Sequence, residues 1–247
     1  MTDTPLVLVE RYGARGELVL NRPERRNALI GPLVEALHAG LDELVADDAI
    51  HVILLRGAGG SFCAGLDLDA FAADPAPAWR AGFSGMWANL HTALYACPKP
   101  TVVALEGAAI AGGSGLALAG DMLIAGEHCR LHVAEVKFGM AAPLNTIWLQ
   151  LKFGTSRALE LAVGGQPFDG PALVQRGIAI KSVPDDAVLA EARAYADLLA
   201  QNKPAAMAAV KRTIRTLAGV EDFRALVTAA QSQRPAEASG PGQGLRR

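Results

Sequence analysis

The sequence predicts an α/β fold, with a parallel sheet, helices outside it and a helical C-terminal element. Three observations predict it. Short β-rich apolar runs alternate with stretches of helical apolar spacing up to about Pro184. Successive β runs are separated by whole crossover segments, which parallel neighbours require and hairpins do not. Beyond Pro184 the β signal stops and helical stretches follow one another.

Element by element, Leu6–Val9 and Leu18–Leu20 read as paired strands with Gly13 and Gly16 in the turn. Pro32 to Ala46 carries Leu33, Leu37, Leu41 and Leu44 on one helical stripe. Val52–Leu55 is a buried-type strand ending at Gly57. Trp79 to Tyr95 predicts a helix through Phe83, Met86, Trp87, Leu90 and Leu94, stopped by Pro98 and Pro100. Its aromatics, with Trp148, are core or pocket-wall residues at helical spacing. Thr101–Leu105 is the next strand, a Gly/Ala-rich segment from Gly107 leads into a helix, and Met122–Ile124 is a further strand. Ala187–Ala200, Pro204–Leu217 and Val220–Ala230 are consecutive helices, with Pro204 suited to a first helical turn. Residues 1–186 are thus expected to form the core and 187–247 a helical element, of which Arg234–Arg247, rich in Pro, Gly and Ser, frays.

Composition narrows the function classes. Of 247 residues, 51% are hydrophobic and 19% charged, so a sizeable core forms and bulk disorder is excluded. A net charge of −2 argues against nucleic-acid binding through a general basic field. The longest apolar candidate, Ala108 to Ala119, is too short to span a membrane, and Met1–Pro5 lacks the basic start of a leader, so a soluble cytoplasmic protein is expected. Cys63, Cys97 and Cys129 stand far apart and read as reduced, buried thiols. The five histidines show no metal-ligand spacing; no phosphate-binding P-loop, dinucleotide fingerprint or G-x-S-x-G elbow occurs.

Three segments carry chemistry: Leu20-Asn21-Arg22-Pro23-Glu24-Arg25-Arg26-Asn27-Ala28-Leu29; Ser61-Phe62-Cys63-Ala64-Gly65-Leu66-Asp67-Leu68; and Glu106-Gly107-Ala108-Ala109-Ile110-Ala111-Gly112-Gly113-Ser114-Gly115-Leu116. In the last two, a Gly-containing turn follows a strand and leads into a helix. Glycine lets backbone approach a ligand closely, and an N–H at a helix start points outward. Two such N–H groups aimed at one point hold a developing oxyanion, each worth about 3–4 kcal/mol of barrier.

Together, in this order and over nearly the whole chain from about Leu6 to Thr228, the three segments resemble the crotonase superfamily, the enoyl-CoA hydratase/isomerase family. The resemblance implies a crotonase-like ββα spiral core with a C-terminal helical trimerisation element, and a homotrimer or dimer of trimers. It implies an acyl-CoA thioester substrate whose enolate rests on the N–H groups of Leu66 and Gly112. Coenzyme A is then part of the substrate, and no separate cofactor or metal is expected. Hydratases of the family hold a water between two glutamates. One maps to Glu135; the other maps to Gly115, which has no side chain. Some family isomerases share this single-glutamate pattern, and the turn Phe138-Gly139-Met140-Ala141-Ala142-Pro143 also resembles theirs.

One carboxylate can take a proton from one carbon and return it to another, so Δ3,Δ2-enoyl-CoA isomerisation is favoured. Hydration, thioester hydrolysis, decarboxylation, dehalogenation and non-catalytic acyl-CoA binding remain alternatives, and Glu135 as a surface glutamate paired with Lys137 or His132 is the plain structural one. By the same resemblance Ala64, Asp67, Leu68, Gly113, Gly115 and Pro143 form the substrate site, and Arg25 and Arg26 lie where the family binds CoA phosphates, with Lys211 a weaker candidate for the nucleotide end. Asp67 is equally suited to cap the helix that follows it. Whether Asp67 or Asn145 takes the place of the acid missing at Gly115 stays open at this level.

Overall fold

The structure is a computed structural model and describes residues 4–233; the expected fraying of Arg234–Arg247 lies outside them. β1 (Val7–Tyr12) and β2 (Arg15–Leu20) form an antiparallel hairpin turning at Gly13 (φ +60°). Gly16 is inside β2, where a Cβ would meet the Leu44 methyl groups at 2.8 Å. From β2 onward the sheet is parallel: β3 (Val52–Gly57), β4 (Thr101–Leu105), β6 (Met122–Gly126) and β9 (Lys181–Val183) extend it in the order β1-β2-β3-β4-β6-β9.

Both faces of this sheet are covered, which is why its strands are continuously apolar. Alternate residues choose the side. Ile53, Leu55, Val103 and Leu105 join the core under α1 (Gly31–Ala46) and α3 (Phe83–Ala96), with Leu37, Leu41 and Leu90. Val52, Leu54, Val102, Ala104 and Ile124 join a second cluster filled by Val188, Ala192 and Ala196 of α7 (Val188–Ala200). The α7 helix thus completes the sheet sandwich, although it follows the expected boundary at residue 186.

The predicted helix from Trp79 begins only at Phe83. The aromatic spacing continues back to Trp79, but Gly82 forms the N-cap and the chain before it turns, with Trp79 packed on Phe71 at 5.9 Å and Phe83 at 5.7 Å between ring centroids. A second, smaller sheet is absent from the sequence reading: β5 (Ala108–Ile110), β7 (Arg130–His132) and β8 (Pro167–Phe168) pair in that order. β5 leads into α4 (Gly112–Ala119), and α5 (Pro143–Ala162), bent at Gly154, crosses it. The C-terminal end of α4 is closed by the Lys152 ammonium, which donates to Leu118 O at 3.0 Å and to Gly120 O; desolvation of the ammonium pushes its pKa down to about 8.

Four further helices differ in what they bury. α2 (Leu68–Phe71) is one turn. α6 (Gly170–Gln175) packs on β9. α8 (Pro204–Leu217) buries no residue, and Val210, Ile214 and Leu217 are 60%, 62% and 81% exposed. α9 (Phe223–Ser232) packs on α3 and α5, with Phe223 stacked on Tyr95 at 4.3 Å and 5.0 Å from Trp148. No helix among the described residues is long and apolar enough to cross a membrane. The three cysteines are free and buried.

Candidate active site

The three sequence segments meet around one loop, Cys63 to Asp67. On one side Ala64 N donates to Arg26 O (3.0 Å), Leu29 N to Gly65 O (2.7 Å) and Asp67 N to Leu29 O (3.0 Å). On the other, Cys63 N donates to Ala108 O (2.8 Å) and Ile110 N to Cys63 O (3.0 Å). This lacing demands small residues. A Cβ at Gly113 would stand 2.2 Å from Cys63 O, and one at Gly65 (φ +89°) 2.6 Å from Ile110 O. Asn27, fully buried, fixes the first segment: its Nδ2 donates to Ala58 O (2.9 Å) and Ser61 O (2.6 Å), and its Oδ1 accepts from Arg22 N (2.9 Å).

Within the lacing, two N–H groups are left over. Neither Leu66 N–H nor Gly112 N–H makes a backbone hydrogen bond among the described residues, while Ala111 N–H is taken by His132 O at 2.8 Å. Ala111 holds φ +49°, a strained conformation for a residue with a Cβ, and it starts α4 immediately after the strand. Leu66 and Gly112 both line a cleft of about 590 Å³ whose other walls include Phe71, Phe83, Trp87, Ile110 and Leu144. Trp148 is buried behind it.

Glu135 is the one carboxylate in the cleft lining among the described residues. It opens a 3₁₀ turn (Glu135–Phe138) that ends on Gly139 at φ +68° and is closed by Met140 N donating to Glu135 O at 3.1 Å. Its carboxyl group is inside: Oε1 accepts from Asn145 Nδ2 at 2.9 Å, and Oε2 is buried with no partner. Burial pushes its pKa up to about 7, opposed only by hydrogen bonds from backbone N–H groups and the Asn145 amide. The surface pairing with Lys137 or His132 does not form; His132 Nε2 is engaged with Gly165 O at 2.9 Å. A carboxylate held near neutrality in an apolar cleft, beside two free N–H groups, has the parts of a proton-transfer site with an oxyanion hole.

Comparison with known proteins agrees with this arrangement. Residues 11–234 match the family model described as enoyl-CoA hydratase/isomerase. The chain belongs to the enoyl-CoA hydratase/isomerase family. A Thermus thermophilus relative bearing an enoyl-CoA hydratase name is 35% identical over 220 residues, 87% of this chain and 85% of its own. The 1,2-epoxyphenylacetyl-CoA isomerase of Escherichia coli is 32% identical over 203 residues, 81% of this chain and 78% of its own. Among solved structures, that of Pseudomonas aeruginosa PA4980 superposes with a TM-score of 0.80 at 32% identity, covering 94% of this chain and 99% of that one. The fold is therefore that of the crotonase enzymes, and this member is an α/β enzyme of the hydratase/isomerase family.

The remaining expected site residues of this family member fall into two groups. Ala64, Leu68, Gly115 and Pro143 line the cleft with Leu66, Gly112 and Glu135. Gly113 lies beneath it against Cys63. Asp67 does not line it: its carboxylate caps α2 by accepting from Ala70 N (3.0 Å) and pairs with Arg22 Nη1 (2.7 Å), so it is unsuited to replace the missing acid. Arg25 leans on Asp67 (3.5 Å) and Asp69 (3.3 Å), whereas Arg26 is exposed at φ +49°. Lys211 is spent within the chain, on Asp121 (2.5 Å) and Lys99 O (2.8 Å).

Sequence reading left Asn145 as one of two candidates and gave Ser114 no role. Ser114 Oγ lies 2.6 Å from Ala111 O and 3.2 Å from Asn145 Oδ1, and its single proton is shared between these acceptors. Nothing local to either residue signals this contact, which depends on how α5 crosses α4.

Proposed function

We propose that the protein is a Δ3,Δ2-enoyl-CoA isomerase acting with a single glutamate base. The observation that carries this reading is that Glu135 is the one carboxylate lining the cleft among the described residues and that Gly115 lines the same cleft. In the reaction, Glu135 takes a C2 proton from a 3-enoyl-CoA thioester. The electron pair moves onto the thioester oxygen, which Leu66 N–H and Gly112 N–H receive. As the enolate collapses, the C3–C4 double bond moves to C2–C3 and Glu135 returns its proton at C4. One group serves as base and then acid, for which a pKa near 7 is suited. The aromatic walls at Phe71, Phe83 and Trp87 support an apolar acyl group. Arg26, exposed beside the lacing, is the better placed of the two arginines to meet CoA phosphates, since Arg25 already has carboxylate partners.

Hydration is the second reading, and the hydratase name borne by the Thermus thermophilus relative favours it. A product assay separates the two. Wild type and Glu135→Gln are incubated with a trans-3-enoyl-CoA and, separately, a trans-2-enoyl-CoA. Isomerisation of the first substrate, lost in the variant, supports the proposal. Water addition to the second without isomerisation of the first replaces it with hydration.

We also propose assembly into a homotrimer or dimer of trimers, supported by the exposed apolar stripe Val210, Ile214 and Leu217 on α8. Light scattering on the wild type and on Ile214→Glu tests it. A monomeric wild type overturns it.

A further inference from the structure

We infer that Asn145 is a positioning residue for Glu135: its amide fills the space beside Gly115, ties down Oε1 and leaves Oε2 as the single atom free to carry the proton. The inference rests on Glu135 being the base. Three contacts fix the amide. Its Nδ2 donates to Glu135 Oε1 (2.9 Å) and to Ala111 O (3.2 Å), and its Oδ1 lies 3.2 Å from Ser114 Oγ. Glu135 and Ala111 offer only acceptors here, so the NH2 group must face them, and the orientation follows from chemistry. Asn145 is 3% exposed, and a Cβ built on Gly115 would come within 3.0 Å of its Oδ1. The side chain therefore occupies the room that a longer residue at position 115 would need.

An amide there differs in kind from an acid. It neither takes nor gives a proton at neutral pH, and it adds no charge to the cleft. A carboxylate at that point would face Glu135 across hydrogen-bonding distance, and two carboxylates so close share a proton and titrate as a pair. With Asn145, Glu135 titrates alone. Its burial raises the pKa, the amide moderates that rise, and no charged side chain contributes. Through Ala111 O, the same amide also braces the strained residue that precedes Gly112, so base and oxyanion donor are held by one group. This arrangement selects for moving a proton along one acyl chain rather than for activating water between two acids.

The test compares wild type with Asn145→Ala and with the near-isosteric Asn145→Asp. The Glu135 carboxyl is titrated by carbon NMR in the ligand-free chain, with Glu135→Gln assigning the signal, and the pH dependence of kcat/KM is measured on a trans-3-enoyl-CoA. In Asn145→Ala the carboxyl titration and the acid limb of the profile should move up together. The value of kcat at pH 7 should fall about ten- to a hundredfold, as for a lost hydrogen bond to a charged group, with KM within about threefold. Asn145→Asp should move the titration further up through like-charge repulsion. An unmoved titration in both variants, or a loss confined to KM, overturns the inference. If the titration moves while the wild type turns over neither enoyl thioester, the positioning role stands and the proposed reaction falls.

Discussion

Glu17 and Glu135 are both glutamates with carboxylates inside the protein, and they titrate in opposite directions. Burial pushes the Glu17 carboxyl up, but hydrogen bonds and charge from Arg193 and Arg56 more than cancel it, leaving its pKa below the usual range. Arg193 binds it at 2.8 and 2.9 Å, Arg56 at 2.8 Å and Arg15 at 3.0 Å. Burial pushes Glu135 up too, but its donors are all neutral, so its pKa stands near 7. Burial alone does not set the direction of the shift; whether a cation faces the carboxylate does. Glu17 joins α7 to β2 and β3, whereas Glu135 lines the cleft with a carboxyl group that titrates near neutrality.

The sharpest way to break the contrast is to neutralise each in turn. Glu135→Gln should lower turnover of an enoyl thioester at least about a thousandfold while thioester binding, read by calorimetry, persists. Glu17→Gln should leave kcat within a few-fold and instead lower the unfolding free energy by about 3–5 kcal/mol, because it removes the buried carboxylate shared by Arg15, Arg56 and Arg193; urea titration measures it. An equal activity loss in both variants would erase the distinction.

A smaller effect is in the pH dependence of stability. The folded pKa of Glu135 is raised from 4.5 to about 7. Its protonated form is therefore favoured by folding: the contribution is complete below about pH 4.5 and is lost as pH rises through about 7. Glu135→Gln should then be more stable than wild type above pH 7, by on the order of 3 kcal/mol, and equal to it near pH 4. Activity follows the opposite course, since the base must be ionised, and kcat/KM should climb to a plateau above about pH 7. The smallest effect belongs to Ser114→Ala. It removes a neutral support of the Asn145 amide and should cost about 1 kcal/mol of activation free energy, measured as kcat.

Glu135 is legible in the sequence and Glu17 is not, and the reasons are physical. The glycines at 65, 112 and 113 and the apolar runs beside them are local signals, so the strand-to-helix turns can be read directly, whereas the role expected for Leu66 and Gly112 follows from the family resemblance. Glu135 follows from its resemblance to family positions. The short strands β5, β7 and β8 escape because each has no more than three residues, too few for periodicity. The helix from Phe83 is overextended to Trp79 because aromatic spacing persists across a turn that the backbone makes at Gly82. The partners of Asp67, Lys211 and Asn145 depend on tertiary crossings that leave no local pattern. The arginines around Glu17 lie at positions 15, 56 and 193, and only the folded sheet brings them together.

The docking of α9 has a consequence in time. Ala230 and Gln231 form part of the cleft wall, and Gln231 Nε2 is fastened to Ser84 Oγ at 3.2 Å. Every other lining residue, up to Asn145, leaves the ribosome first. At roughly 5–20 residues per second, the growing chain carries Glu135 and the N–H groups of Leu66 and Gly112 for about 5–19 seconds before this wall exists. The cleft wall is thus completed last, by a segment that supplies neither Glu135 nor the N–H groups of Leu66 and Gly112.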